Sequence, residues 1–364
     1  MKKIALAHDA LINNGGAERV FQVFCEIFPD APIYTSVFFP EKTLPFFKNK
    51  TIFTSPLQKI VKTEIQFKNL FPLSLYLMQK FDMSSFDIII SSSTFCAKYL
   101  KKKKAKHICY MHQPFRLLWE PNSYDHRYIN LKKSLIIPFL PLFRKWDINV
   151  TKDTDILISN CSTTKKKIKN YYNLDSTVIN PPFGKFVSEN TETNGEYYLV
   201  VSRLEPYKRV DIAIEAFNKL ELPLKVVGTG SQLDALKKIS KNNIKYFHNI
   251  DDKKLKKLYE NCKALVFPQE EDFGLTPIEA NLFGKPVICY CKGGVETTMT
   301  PYNGKNLNQA TAIFFHEQNV DCLIAAIIKF KTILFNKVVL KKNAERFSED
   351  IFKQNILDII NSIN

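Results

Sequence analysis

Tyr197-Tyr198-Leu199-Val200-Val201-Ser202-Arg203-Leu204-Glu205-Pro206-Tyr207-Lys208-Arg209 is the stretch on which the fold turns. Its first six residues, Tyr197–Ser202, are apolar up to the last, mostly β-branched or aromatic, and a polar loop carrying a proline stops them, which reads as a short buried strand. A helical pattern, Val210–Leu220, follows at once. The same unit recurs outward in both directions. Leu224–Val227, Ile244–Phe247, Ala264–Phe267 and Val287–Cys289 come after it, and Ile4–Ala7, Ile33–Ser36, Ile88–Ser91, His107–Tyr110, Ile156–Ser159 and Val178–Ile179 before it. Strands that alternate with helices make a mostly parallel sheet covered on both faces, because parallel neighbours need a crossover between them. Between the halves, Pro181-Pro182 leads into Phe183–Glu196, rich in Ser, Thr, Asn and Gly. The chain is therefore predicted to be α/β with two doubly wound domains, residues 1–182 and 197–347, joined by a linker at 183–196. Ala17–Phe28 places Val20, Phe21, Phe24, Ile27 and Phe28 on one helical face. A last helix in 348–364 starts behind Ser348 as N-cap and carries Ile351, Phe352, Ile356, Ile359 and Ile360 in similar register.

Composition agrees with two folded domains. The 364 residues are 45% hydrophobic, 13% aromatic and 24% charged, which excludes a disordered or collagen-like chain. The opening Met1–Ala7 imitates a signal peptide, but His8 and Asp9 end the apolar run too early. Leu135–Phe143 and Leu323–Ile328 are interrupted by Pro138 and Pro141 or ended by Lys329, short of a membrane span. Eight scattered cysteines, with Cys289 and Cys291 lacking C-x2-C spacing, suit reduced thiols in a cytoplasm. The net charge of +16 is uneven: residues 1–180 hold 27 basic and 14 acidic groups, the rest 25 and 22. The first half is expected to face something anionic, with nucleic acid, acidic lipid and a phosphate-bearing substrate all qualifying on charge. An ordinary solvated lysine-rich face is the plain alternative.

Ligands of open α/β sheets bind beyond the carboxyl ends of the strands, which directs attention to the loops there. Asn13-Asn14-Gly15-Gly16-Ala17-Glu18 opens a helix after the first strand, where backbone N–H groups could meet a phosphate or sugar; a tight turn at φ > 0 would need the same glycines. Arg203 and Lys208 lie just past a strand, suited to a diphosphate. Val227-Gly228-Thr229-Gly230 is a further, weaker glycine loop. Glu271-Asp272-Phe273-Gly274-Leu275-Thr276-Pro277-Ile278-Glu279 is the sharpest group. Thr276-Pro277-Ile278-Glu279 reads as a capping box, which would give Glu279 a structural task. Glu271 precedes that cap, in a loop where Gly274 lets the backbone approach a ligand.

Taken together these residues resemble a family. Glu271 and Glu279 match the E-x7-E signature of retaining GT-B glycosyltransferases of family 4; Ser202-Arg203-Leu204 with Lys208 is similar to its S-R-L…K segment, and Gly15-Gly16-Ala17-Glu18-Arg19 to its glycine loop. Tyr110-Met111-His112-Gln113-Pro114-Phe115-Arg116 with Trp119, Glu270–Gly274 and Gly293-Gly294-Val295-Glu296-Thr297 resemble the bacterial O-antigen mannosyltransferases among them. The resemblance implies two Rossmann-like domains facing across a cleft, with the last helix crossing back to the first. By the same resemblance Arg203 and Lys208 bind the donor diphosphate, Glu279 the nucleotide ribose, and Glu271 a hydroxyl of the donor sugar. The backbone of Phe273, Gly274, Leu275 and Thr276 contacts sugar and phosphate, with Gly15 and Gly16 also on the donor. The base rests on the loop after a middle strand, Asn249-Ile250-Asp251-Asp252, so that Ile250 and Asp252 join the site, and His112 stands beside the anomeric centre.

The implied activity is retaining transfer of a hexose, mannose first, from GDP-mannose or another GDP- or UDP-hexose to a glycan or lipid-linked oligosaccharide. Cell-surface polysaccharide or lipopolysaccharide synthesis is the implied setting. No cofactor and no metal are expected: Asp153-Thr154-Asp155 mimics D-x-D but precedes its strand, while Arg203, Lys208 and a helix N-terminus can neutralise a leaving diphosphate. An epimerase or phosphorylase on the same fold is the alternative. A nucleic-acid partner is not expected, since no binding signature accompanies the charge. Lys59–Phe81 combines Lys62, Lys68 and Lys80 with Phe67, Leu70, Phe71, Leu75, Tyr76 and Leu77, and Lys101–Lys106 adds five lysines. Together with the implied acceptor, these predict peripheral attachment to an anionic membrane at its cytoplasmic face, core packing of the same helix being the alternative.

Overall fold

The computed structural model describes residues 2–121, 137–183 and 195–363, so most of the segment 183–196 lies outside the described residues, as do Leu135 and Ile136. The backbone divides into two compact units: Met1–Pro181 with Phe352–Asn364, and Pro182–Ile351. Unit one holds β1 (Ile4–His8), β2 (Ile33–Thr35), β3 (Ile52–Thr54), β4 (Ile88–Ser93), β5 (Lys106–Met111), β6 (Ile156–Ser159) and β7 (Thr177–Val178). They form one sheet in the order β3-β2-β1-β4-β5-β6-β7, every pair parallel. Unit two holds β8 (Tyr197–Val201), β9 (Leu224–Val227), β10 (Ile244–Phe247), β11 (Cys262–Phe267), β12 (Val287–Tyr290) and β13 (Ala312–Phe315), in the order β10-β9-β8-β11-β12-β13, again all parallel. The strand order reverses between β1 and β4 in one sheet and between β8 and β11 in the other, and the crevice of a doubly wound sheet opens at such a point.

β3 and β13 are not marked in the sequence reading. Both are edge strands. β10 is also an edge strand, not the middle strand expected before Asn249–Asp252.

Each sheet is sealed by apolar helix faces. On unit one, Val20, Phe21 and Phe24 of the helix Gly16–Ile27 pack with Leu6, Ile90 and Ile108. The helix Glu349–Asn361 adds Phe352, Ile356 and Ile360 to that same cluster, with the Phe352 ring 5.4 Å from Phe24 and 5.8 Å from Tyr110. Ser348 Oγ accepts from the Ile351 N–H at 3.4 Å, at the start of this helix.

In Lys59–Phe81 most of the apolar residues take the core-packing alternative. The segment folds as two short helices, Glu64–Asn69 and Phe71–Met78, the second with Pro72 in its first turn. Phe67, Phe71 and Leu75 are buried, and Leu70 and Leu77 pack against the same core, so of the six apolar residues named only Tyr76 is largely exposed. Lys68 pairs with Glu64 at 2.6 Å, and Lys80 lies over the Tyr76 ring. The apolar side of this segment is thus mostly core. No helix among the described residues is long and apolar enough to cross a membrane, and all eight cysteines are free thiols, six of them buried.

Truncating Phe352 to alanine should remove about 3–5 kcal/mol from unit one, as cavity-forming Phe deletions do; urea unfolding followed by tryptophan fluorescence checks it, both tryptophans lying in that unit. A second expectation concerns acid. Burial, with Lys102 nearby, pulls the His107 imidazole down to about 4, and Ser91 Oγ holds its Nε2 at 2.8 Å. Unfolded, this histidine takes its proton near pH 6.5. Between about pH 6.5 and 4 the unfolded chain therefore binds the extra proton, and stability falls as pH falls through that window. His107→Gln should flatten that slope in denaturation curves taken from pH 7 to pH 4; an unchanged slope would contradict it.

Candidate functional site

The reversal point of the second sheet gathers most of the residues singled out from sequence. Arg203 follows β8, and Lys208 ends a 3-10 turn, Pro206–Lys208. The exposed Arg203 guanidinium donates to Tyr207 Oη at 2.9 Å. Glu271 follows β11 across the reversal. Lys208 Nζ, itself buried, forms an ion pair with Glu271 Oε1. Gln269 Nε2 donates to the same oxygen at 3.3 Å. Both of these donors sit on Oε1, and Glu271 is about one-third exposed.

Gly293 and Gly294 support this loop from behind. The Gly294 N–H donates to the Glu271 carbonyl at 2.7 Å. A Cβ on Gly293, which has φ +81°, would lie 2.2 Å from the Glu271 oxygen, and one on Gly294 2.1 Å from the Phe273 oxygen. Gly228 and Gly230 serve the neighbouring loop in the same way: Ser202 and Leu204 donate to Val227 and Thr229, and Cβ atoms there would strike Ser202 and Leu204 backbone. That glycine loop is a packing device.

The helix Leu275–Leu282 corrects the capping-box reading. Gly274, at φ +82°, is its N-cap and starts the helix before Thr276, so Pro277 is its third residue, where a missing N–H costs no helical bond. Glu279 lies in the second turn, buried, accepting from Tyr259 Oη at 2.8 Å. Phe273 is buried with its ring 5.6 Å from Phe347, while Leu275 and Thr276 are partly exposed at the helix start. Ile250 and Asp252 lie apart from these, beyond the edge strand β10, where Asp251 caps the helix Asp252–Glu260 through the Lys254 N–H at 2.7 Å.

The first sheet has its own constellation at the β1/β4 reversal. His8 ends β1, Ser92 is near the end of β4, and His112 lies one residue past β5. Ser92 Oγ is 3.1 Å from His8 Nδ1 and 2.8 Å from His112 Nε2. Burial, with His8 adding to it, pulls the His112 imidazole down to about 3, so it is neutral at ordinary pH. Asp9 is spent on structure, accepting from Ser93, Thr94 and Ala97. Gly15 and Gly16 do not take the positive-φ turn: Gly15 is extended, Gly16 begins the helix Gly16–Ile27, and Glu18 Oε2 accepts from the Gly15 N–H at 3.0 Å. A cavity of about 200 Å³ opens here, lined among others by His8, Asn13, Glu18, Thr94, Gln113 and Phe115.

Trp119 closes the segment that begins at Tyr110. Its Nε1 donates to Asp147 Oδ2 at 2.8 Å, and Asp147 also accepts from Tyr99 at 2.6 Å and Tyr172 at 2.7 Å and pairs with the buried Lys98 at 2.8 Å. Burial pushes the Asp147 carboxyl up, but Lys98 and these donors outweigh it and hold it below the usual range. His8, Ser92, Gln269 and Asp147 were not found from sequence. The strand-end rule could have found the first three, each at or just past a strand terminus; Asp147, inside a helix, left no such signal.

Gly293→Ala should cost about 1–3 kcal/mol in chemical denaturation, through a strained φ and a clash with the Glu271 carbonyl. Wild-type stability would show that the loop yields without cost.

Comparison with known proteins bears on the fold and on residues 185–349. Residues 185–349 match the family described as Glycosyl transferases group 1. The Alpha-1,3/1,6-mannosyltransferase ALG2 of Candida glabrata is 24% identical over 416 aligned residues, covering 94% of this chain and 87% of that one. The O-antigen chain mannosyltransferase C of Escherichia coli is 27% identical over 157 residues, 38% of this chain and 41% of that one. Among solved structures, Anabaena HepE in complex with UDP and glucose superposes with a TM-score of 0.72 at 15% identity over all of both chains. The chain has the fold of the GT-B glycosyltransferases, and its residues 185–349 match the Glycosyl transferases group 1 family.

Proposed function

We propose that this glycosyltransferase moves a hexose, mannose first, from a GDP- or UDP-sugar to a glycan acceptor with retention of configuration and without a metal ion. The observation that carries the reading is the Lys208–Glu271 pair at the β8/β11 reversal, flanked by Arg203 and the N-terminus of Leu275–Leu282. The ammonium has three N–H donors, enough to keep Glu271 and still hold a phosphate oxygen. Arg203 adds a planar fork, and the first N–H groups of the helix are unpaired within it. These charges oppose the one that develops on the leaving diphosphate. The bond from C1 to the phosphate oxygen breaks through an oxocarbenium-like state, a bond from C1 to the acceptor oxygen forms on the same face, and the acceptor proton passes to the leaving phosphate oxygen. Glu271 Oε2 takes a hydroxyl of the donor sugar, Glu279 the ribose, and the loop at Ile250 and Asp252 the base. His112 serves the reacting sugar, and the cavity at the β1/β4 reversal takes the acceptor.

Mannose is favoured by the names of the Candida glabrata and Escherichia coli relatives; a nucleotide-sugar donor is in keeping with the UDP and glucose bound by HepE. An O-antigen or related surface glycan is the acceptor class the name of the Escherichia coli relative suggests; that it rides on a lipid carrier met at the cytoplasmic face of the membrane is part of the proposal. Support for an anionic surface comes from the exposed lysines Lys101, Lys103, Lys104 and Lys106, and from Ile60, Ile65, Leu73 and Tyr76, which stay exposed in Lys59–Phe81 while its other apolar residues pack into the core.

Incubation with labelled GDP-mannose and UDP-hexoses, with and without EDTA, tests the reading. Label should enter an acceptor glycan as the same anomer, in EDTA as without it; an epimerised nucleotide sugar, a sugar phosphate, or loss on chelation restored by magnesium would overturn it. Glu271→Ala should abolish transfer in a folded protein. Arg203→Ala and Lys208→Ala should each weaken donor binding by about 1.5–3 kcal/mol, the worth of a charged hydrogen bond. Vesicle co-sedimentation should require anionic lipid and weaken with salt and on changing Lys101–Lys104 to alanine; equal pelleting with neutral vesicles would refute the membrane part.

A further inference from the structure

Two imidazoles share one hydroxyl in unit one, and a carboxylate stands at the far end of the row. Glu18 Oε1 is 3.8 Å from His8 Nε2, His8 Nδ1 is 3.1 Å from Ser92 Oγ, and Ser92 Oγ is 2.8 Å from His112 Nε2. A serine hydroxyl has one proton to donate. Placed between two ring nitrogens, it donates to one and accepts from the other, so the two tautomers are locked together. Glu18 decides which way round they lie. Its Oε2 is anchored by the Gly15 N–H, so the carboxylate cannot swing away, and an unprotonated His8 Nε2 would set a lone pair against it. His8 therefore carries its proton on Nε2, and its Nδ1 accepts from Ser92. Ser92 Oγ then accepts from His112 Nε2–H, which leaves His112 Nδ1 with a free lone pair.

We propose that Glu18, His8 and Ser92 are positioning residues that hold His112 as the Nε2–H tautomer and so present His112 Nδ1 as an acceptor for a sugar hydroxyl. The backbone of His112 is fixed as well: its N–H donates to Ser93 O at 2.9 Å and its carbonyl accepts from Thr164 Oγ1 at 3.2 Å. His112 as a residue is not fully buried, and its neighbour Gln113 lines the cavity. The ring is neutral at ordinary pH, which makes its tautomer the one variable left to set. His8 and Glu18 also line the cavity beside it, and the helix-opening glycine loop gains a task in this way: Gly15 aims the carboxylate that orders the row. The role at the sugar rests on the proposed transfer activity; the tautomer does not.

Nitrogen-15 NMR of the substrate-free protein at neutral pH reads the tautomer directly, with the His112 signals assigned by their loss in His112→Gln. The expected pattern is a protonated, pyrrole-type Nε2 and an unprotonated, pyridine-type Nδ1. Ser92→Ala and Glu18→Gln should each give mixed tautomers, and Ser92→Thr, which keeps the hydroxyl, should restore the pattern. In transfer assays the first two should lower kcat on the order of tenfold with KM for the nucleotide sugar little changed, as loss of an outer partner that orients a histidine does. Should Ser92→Ala fail to fold, Glu18→Gln carries the test alone, because the amide still accepts from Gly15. A protonated Nδ1 in the wild type, or a tautomer or kcat unmoved in Glu18→Gln, overturns the proposal. The expected tautomer in a protein that transfers no sugar would leave the row standing and sink the transfer reading instead.

Discussion

Parallel strand pairing is the constraint on which everything else in this protein depends. A parallel pair cannot be closed by a tight turn, so each connection must leave the sheet and cross back, most often through a helix. All thirteen strands pair this way. Each sheet consequently has one edge at which every strand ends, and one place where neighbouring connections depart to opposite sides. Arg203, Lys208 and Glu271 occupy that place in one unit, His8 and Ser92 in the other, with His112 on the next strand.

The polar groups at these two places are handled differently. In unit two the charge is open to a ligand: Glu271 is about one-third exposed and Arg203 is at the surface. In unit one the strongest charges are withdrawn from use. Asp9 accepts four hydrogen bonds, and Asp147 is enclosed by Lys98, Tyr99, Trp119 and Tyr172. A buried ion pair gains little net stability, but satisfied on every side it fixes one arrangement of the elements it joins. Here it ties Trp119 and the helix Leu140–Lys152 to one another, and with them the segment that carries His112, Gln113 and Phe115.

Most of the fold is written in the sequence because its central strands are apolar on both faces and its helices on one. Eleven of the strand positions and the helices at Gly16 and Val210 could be read from that pattern, with ends within a residue or two. What could not be read has physical causes. The apolar residues of Lys59–Phe81 look alike whether they face lipid or core. At the site, Glu271 and Lys208 were legible by residue type and spacing, but their direct pairing was not, since it joins residues 63 positions apart. The helix start at Gly274 was masked by a Thr-Pro pair that mimics a cap, and the Ser92 bridge by the ordinariness of a serine in a strand.

The helix Glu349–Asn361 has a consequence for how the protein comes into being. Phe352, Ile356 and Ile360 complete the core of the unit that is made first. On the ribosome, the faces of Phe24 and Tyr110 that they cover stay bare while residues 182–351 are being added, a delay on the order of ten seconds or more at ordinary rates of synthesis. During that interval the first unit waits with an exposed apolar seam, whereas the second, whose stretch of chain is continuous, needs nothing made after it.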